Sequence, residues 1–551
     1  LFAVGSTAFG EGKVVERVTK LVSAAMEVDL DPARPVIISY KSLTKEGLLY
    51  GAADRLGPEV IYLDGESSEY KSSHAEDARI DCNLQAGTSN ATYNCHLVVQ
   101  GKSVADFEFI ISAVSNRLVI TCRLLRETDK TRIASIKFPL ITALASQSGA
   151  KLAVPTRSGR LVDIEKADPL ERVIKVGWYD IMPIGMAYND KMLGYVTLNS
   201  FDDQLISQVK ANPKAGTIVV EFVRRPQAQK PELSFLAQRD STCTVTILEP
   251  KDDKPIDWTA GAISIRGAIP RNINSMYTGA YIYKIMLDMP KGTDWTSFNE
   301  ALDLIRRVKK LTSGAKQIVY LVGWQHNGHD TGYPDTSTIN ERLGTPDQLK
   351  SIIRLGKLEN ATVSVHDNYH DAYQDSPGWD PAIVARDESG ELAKGGIWGG
   401  GQAYVISPSK YINKAVDRAK KTISMLGIEK TIHLDVFSDD PDRIDFNSSA
   451  PAGRQKNIAA KLSVVSSFNQ LGVDVTSEIL TAPFTTKISH FWHVERRSAA
   501  YWTAEERIPL IPMIYHGKVT AGGTANTDDD MLDLLLYGWT FSDDFTKATT
   551  D

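Results

Sequence analysis

Hydrophobic and polar positions alternate over short runs from about residue 35 to 250. In "DFEFIISAVSNRLVITCRLL" (106–125), Phe107, Phe109 and Ile111 share one parity, and Ser115-Asn116 supplies a turn. Leu118, Ile120 and Cys122 then resume the alternation, which predicts a hairpin with one buried face. "GTIVVEFVRR" and "CTVTILEP" behave the same way and amphipathic helices are scarce. We therefore expect an antiparallel β-sandwich over residues 1–250.

The periodicity changes after the linker-like "LEPKDDKPIDW" (248–258). β-Branched runs of strand length recur at 317–322, 361–365, 431–437, 473–478 and 509–515, with helical patterns between several of them. In "SPSKYINKAVDRAKKTISMLGI", Ile412, Ala415, Val416, Ala419, Ile423 and Leu426 keep the spacing of one helical face. Ser407-Pro408 opens that helix and Gly427 closes it. The next unit repeats the plan with Ile458, Leu462, Val465 and Gly472, and Thr345-Pro346 opens an earlier helix. Strand, helix and glycine in repetition imply a parallel sheet. Residues 251–551 approach the ~250 residues of a (β/α)8 barrel, with an open doubly wound sheet as the alternative. No GxGxxG follows a strand, which disfavours a dinucleotide fold.

Composition narrows the function classes. The net charge is -6 and no basic stripe occurs, so no nucleic-acid partner is expected. No run of about 18 apolar residues occurs, so no membrane span is expected. The sequence opens Leu1-Phe2-Ala3 without an initiator Met or a basic-then-apolar signal pattern. Cys82, Cys95, Cys122 and Cys243 form no CxxC pair. Cys82 and Cys95 could bridge a hairpin, but scattered thiols in a long chain are more often reduced, so a cytoplasmic protein is expected.

Barrel active sites lie at the C-terminal ends of the strands. After the run at 317–322 comes "GWQHNGHDTGYPD" (323–335), a polar and aromatic cluster with His326, His329 and Asp330. As pocket wall, it makes Trp324 and His329 candidate substrate contacts. After 361–365 comes "HDNYHDAYQDS" (366–376). "TIHLDVFSDD" sets Asp435 between apolar neighbours, and "VDVTSEIL" carries Glu478 near the end of the next strand. Eight of the ten histidines fall between 326 and 516. A carboxylate at an apolar strand end is costly to desolvate and needs a partner or a task. Two carboxyls across a glycosidic bond are the minimum set for sugar hydrolysis. The bland alternative is a helix cap or a salt bridge within the barrel.

In "GGIWGGGQAY" (395–404), Trp398 stands among glycines, either to stack on a pyranose or to plug the barrel mouth. The oxygen-rich Asp367, Asn368, Asp371 and Asp375 suit a hard cation such as Ca²⁺, though their spacing is no EF-hand. His490-x-x-His493-x-Glu495 is a weak zinc-like match.

Together "GWQHNGHDTGYPD", "GGIWGGG", "HLDVFSDD" and "DVTSEIL" resemble glycoside hydrolase family 129, the α-N-acetylgalactosaminidases of bifidobacteria. A more distant resemblance is to the family 101 endo-enzymes, which join a β-supersandwich to a barrel. The resemblance implies that Asp435 is the nucleophile and Glu478 the general acid/base of a retaining mechanism. It implies that Asp330 bonds the axial O4 and that Trp398 is the stacking platform. It also implies a divalent ion, Ca²⁺ by preference, at the N-acetyl group, and C-terminal β-structure of which the final "FTKATTD" shows no sign. The expected substrate is GalNAc α-linked to Ser/Thr of mucin-type O-glycans, on glycopeptides or free glyco-amino acids. Rival readings are an endo-enzyme releasing Galβ1-3GalNAc, a non-catalytic sugar-binding protein, and a metal-dependent hydrolase using His326 and His329.

Overall fold

The structure is a computed structural model that describes residues 18–546, except 53–55, 66–68, 157, 175, 178–179, 200–205, 226–239, 291–294, 441–442, 495–504 and 524–527. The opening Leu1-Phe2-Ala3, Glu495 and the last five residues lie outside the described set.

Among the described residues the alternating half builds two antiparallel sheets of ten strands each, one edge strand of the second being supplied from the C-terminal half. The expected hairpin is present as strands Lys102–Val114 and Arg117–Glu127, turning at Ser115 with φ 54. Phe107, Phe109, Leu118 and Ile120 from one sheet meet Tyr40, Phe138, Ile218 and Phe222 from the other in a dry core. Face-to-face burial of this kind is what period-two patterning produces.

Strands Ala78–Ala86 and Asn90–Val99 set Cys82 opposite Cys95, and the two form a disulfide. This corrects the expectation of reduced thiols at these positions. Directly opposed cross-strand residues bring their Cβ atoms within bonding reach, which the count of cysteines could not reveal. Cys122 and Cys243 are buried and form no disulfide.

The second half closes into a barrel of eight parallel strands, so the doubly wound alternative falls. In order, the strands are Tyr281–Met286, Gln317–Val322, Ala361–Asn368, Thr431–Asp435, Asp474–Ile479, His490–His493, Thr520–Gly523 and Thr540–Phe545. The helices Pro346–Leu355 and Pro408–Leu426 start at the expected prolines, and Thr345 completes a capping box. Gly427 ends the second at φ 73, a left-handed position that favours glycine. The run at 509–515, expected to be a strand, is instead helix Leu510–Tyr515. Pro512 has no N–H for a central ladder but is tolerated in a helix's first turn.

Barrel and sandwich are packed together rather than strung apart. Met186, Tyr188, Leu193 and Tyr195 of one sheet share a core with Ala262 and Ile265 of helix Trp258–Ala268. Strand Glu505–Arg507, between the sixth and seventh barrel strands in the chain, returns to pair with Arg160–Asp163 at that sheet's edge. One short piece of the C-terminal part thus lies inside an N-terminal sheet.

Candidate active site

Successive side chains on a barrel strand point alternately to the axis and to the helices. Lys284, His366, Asn368, His433, Asp435, Thr476, Glu478 and Trp492 take the axial positions. Deep in the barrel, Tyr277, Ile282, Ile318, Tyr320 and Trp492 pack as an apolar floor. Above it stands a column of imidazoles. His433 stacks on His366 at 5.1 Å between ring centroids, and His366 meets His329 edge-on at 5.2 Å.

Asp435 ends the fourth strand, with His366 Nε2 at 3.3 Å from Oδ1 and Asn368 Nδ2 at 3.4 Å from Oδ2. The next residue, Val436, has φ 42. A β-branched side chain in that region is strained, which the surrounding structure must overcome. Ser438 helps, donating its N–H to Ser477 Oγ at 3.1 Å and its hydroxyl to the Ile479 carbonyl at 2.7 Å. Burial alone would push the Asp435 carboxyl up, but the neighbouring His366, His329 and Lys284 hold it well below the usual range.

Glu478 lies on the adjacent fifth strand, one residue past the Leu434–Ser477 pairing. Lys284 Nζ donates to its Oε1 at 3.2 Å. Burial and the Asp435 charge nonetheless raise the Glu478 carboxyl, with Lys284 opposing them. The two strand-end carboxyls are thus shifted in opposite directions. Asp439 lies behind them, accepting from the Ile479 N–H at 2.9 Å, and burial with the Glu478 charge raises its carboxyl as well.

Asp330 and Asp371 form the outer acidic pair. Burial, with the charges of Asp435 and Asp371, pushes Asp330 up to about 8. Burial and Asp435 push Asp371 up to about 7, although Asn368 Nδ2 donates to its Oδ2 at 2.9 Å. His329 Nε2 stands 3.3 Å from Asp330 Oδ2, and burial lowers His329 to about 4. The loop bearing them is anchored at Asp288: its carbonyl accepts from His329 N–H at 2.9 Å, and its carboxylate from Asn340 at 2.8 Å.

Of the residues expected from sequence, Asp435, Glu478, Asp330 and His329 converge here. Trp398 lies on the hairpin Lys394–Trp398/Gly401–Val405, half exposed (50%), and the hairpin tip touches the Asp330 backbone through Gly400. Trp324 corrects an expectation. It is fully buried and donates its indole N–H to the His366 carbonyl at 2.9 Å, so it supports the third strand from behind. His326 bonds the Asp335 carbonyl at 2.7 Å and shapes the loop.

The four oxygen ligands expected for a cation are not brought together. Asp367 has opposite parity to His366 and Asn368, is fully buried, and is paired with Arg418. Asp367 Oδ1 also accepts the Asn368 backbone N–H at 2.8 Å, Asp375 is exposed, and of the four side chains Asn368 and Asp371 are the pair joined by a side-chain hydrogen bond. Donor atoms do come within 4.8 Å of one another in His366, His433 and Glu478, and in His329, Asp330 and Asp435. The Lys284 ammonium on Glu478 opposes a cation in the first group. Asp435 in the second is already held by His366 and Asn368. Neither group contains any of the four oxygen ligands expected from the sequence. His490, from the zinc-like match, stacks on Tyr277 at 4.9 Å in the barrel floor.

Sequence reasoning missed Lys284, His433 and Asp439. Lys284 had a signal, a lone charge in the apolar "YIYKIM". The other two had none beyond lying beside Asp435.

Residues 260–507 match a family model described as endo-alpha-N-acetylgalactosaminidase. Among solved structures, the chain is similar to the alpha-N-acetylgalactosaminidase NagBb of Bifidobacterium bifidum in complex with Gal-NHAc-DNJ. That likeness has a TM-score of 0.77 at 16% identity, over 95% of this chain and 87% of that one. The GalNAc complex of the same protein matches with a TM-score of 0.74 at 16% identity, over the same shares. An α-galactosidase of Geobacillus stearothermophilus, AgaA with raffinose, matches at 0.54 and 9% identity, over 97% and 84%. At such identities the likeness establishes a shared fold of sandwich and barrel.

Proposed function

We propose that the chain is a retaining glycoside hydrolase that removes α-linked N-acetylgalactosamine from Ser/Thr of mucin-type O-glycans. The observation carrying this reading is the pair Asp435 and Glu478, on adjacent strand ends and biased to opposite protonation. A depressed carboxyl suits a nucleophile and a raised one a general acid. NagBb, whose complexes hold GalNAc and Gal-NHAc-DNJ, supplies the sugar class by analogy.

In the first step an Asp435 oxygen attacks the anomeric carbon as the bond to the Ser/Thr oxygen breaks. Glu478 gives its proton to that departing oxygen. The product is a glycosyl ester on Asp435. Glu478, now a carboxylate, takes a proton from water as the water oxygen attacks the anomeric carbon and Asp435 leaves. Asp330, with His329 beside it, reads the sugar hydroxyls, and Trp398 offers an indole face at the rim. A divalent ion at the N-acetyl group remains part of the family expectation. Its four expected ligands diverge, with Asp367 paired to Arg418 and Asp375 exposed.

Azide rescue tests the assignment. On an activated aryl α-GalNAc substrate, Glu478→Ala should yield the α-azide and Asp435→Ala the β-azide. Wild-type turnover in both variants would reject it. A second reading, release of Galβ1-3GalNAc by an endo-enzyme, is favoured by the family model over residues 260–507. Comparing aryl α-GalNAc with aryl Galβ1-3GalNAc separates the two.

No helix among the described residues is long and apolar enough to cross a membrane. The Cys82–Cys95 disulfide fits an oxidising compartment, which removes the ground for the cytoplasmic expectation.

A further inference from the structure

Lys284 is the one charged side chain of the first barrel strand, and it is 5% exposed. Its parity with Ile282 turns it to the barrel axis, while Tyr283 and Ile285 pack outward against the helical layer. The ammonium reaches Glu478 Oε1 at 3.2 Å and lies 4.5 Å from the centre of the Trp492 ring. An ammonium taken out of water at this depth needs anions close by. Burial works against its charge, but Glu478, Asp544 and Asp435 outweigh burial and keep it protonated.

We propose that Lys284 is a positioning residue of the reaction, fixing which oxygen of Glu478 carries the transferable proton and serving as counter-ion as negative charge moves between the carboxyls. This rests on the function proposed above. Because Oε1 accepts an N–H from Lys284, the proton of the acid form belongs on Oε2, and the carboxyl is held in one orientation. Charge conservation supplies the second half. Before the first step Asp435 is anionic and Glu478 neutral. After it Asp435 is an ester and Glu478 anionic. The pair carries one negative charge throughout, displaced toward the oxygen that Lys284 already touches. A fixed cation there costs no reorganisation as the charge arrives.

Removing the charge should raise both carboxyls. The groups facing this centre are Asp435 and His433 on the fourth strand, His366 on the third, Asp544 on the eighth, and Trp492 on the sixth. Asp439 also acts on Glu478, and His329 on Asp435.

The test compares Lys284→Met and Lys284→Arg with wild type on a GalNAcα-Thr peptide and on dinitrophenyl α-GalNAc, whose leaving group needs no proton. We expect Lys284→Met to lower kcat/KM about 100-fold on the peptide and less than about tenfold on the activated substrate. Both limbs of its pH profile should move to higher pH, and Lys284→Arg should hold them near wild type. Equal losses on the two substrates with unmoved limbs would leave Lys284 merely structural and overturn the proposal. If Lys284→Met does not fold, Lys284→Gln, which keeps an N–H donor but no charge, gives the same limb readout. The acid/base assignment of Glu478 on which this rests fails on a different result, intact peptide turnover in Glu478→Gln.

Discussion

Gly400 donates its backbone N–H to the Asp330 carbonyl at 2.7 Å, which ties the tip of the Trp398 hairpin to the loop bearing His329 and Asp330. A Cβ at Gly400 would come within 2.8 Å of that carbonyl oxygen and 2.9 Å of the Tyr373 ring. Neither the backbone nor the buried ring can yield without moving the site. We expect Gly400→Ala to lower kcat/KM on aryl α-GalNAc by about tenfold to 100-fold, because a ~1 Å misplacement of positioning groups costs that much. Thermal unfolding should change little, since the hairpin is peripheral. Wild-type kinetics in this variant would show that the contact is dispensable.

Trp398 and Trp324 should separate cleanly. Trp398 is half exposed at the rim, so Trp398→Ala is expected to raise KM about tenfold, equivalent to ~1.4 kcal/mol of lost stacking, with the melting temperature unchanged. Trp324 is buried and bonded to the His366 carbonyl, so Trp324→Phe should lower the melting temperature and leave KM within about twofold. Steady-state kinetics beside calorimetry reads both, and a reversal of the pattern would exchange their roles.

Asp330 makes stability depend on pH with a definite sign. Its carboxyl is raised from 3.8 to about 8, so the folded state keeps a proton that the unfolded chain has released. Its contribution to stability is fully present below pH ~3.8 and is lost as pH rises toward 8, with a slope of up to ~1.4 kcal/mol per pH unit. Asp330→Asn cannot ionise. Its melting temperature relative to wild type should therefore climb between pH 4 and pH 8, and a difference independent of pH would contradict the buried, protonated carboxyl.

Asp367 tests structure against metal binding. With Arg418 it forms an ion pair buried behind the third strand, and Arg418 also donates to the Asn368 carbonyl at 2.9 Å. Asp367→Ala would leave that guanidinium unpaired, at a cost of about 3–5 kcal/mol. Denaturant unfolding should show the loss, while any stabilisation by added Ca²⁺ should match wild type. Loss of a Ca²⁺ response would restore Asp367 as a ligand.

Periodicity made both halves legible, because burial on one face of a strand or helix dictates spacing before any contact is known. The hairpin at 106–125 and the helix Pro408–Leu426 needed nothing more. Asp435 and Glu478 were also visible, since a carboxylate at an apolar strand end is conspicuous for its desolvation cost. Other features depended on which residues meet across the barrel or the sheet. Lys284 and Glu478 are 194 positions apart and touch only because the barrel closes. Parity along the third strand turned Asp367 toward Arg418 and away from the side chain of Asn368, which dissolved the expected ligand set. Trp324 looked like pocket wall until the packing behind His366 enclosed it, and Cys82 found Cys95 only through strand register. The two periodicities, the helix ends and the strand-end carboxyls can be read from the order of residues, because local sterics and solvent impose them. The tertiary structure alone decided which buried charges compensate one another, because Coulomb interactions act through space and not along the chain.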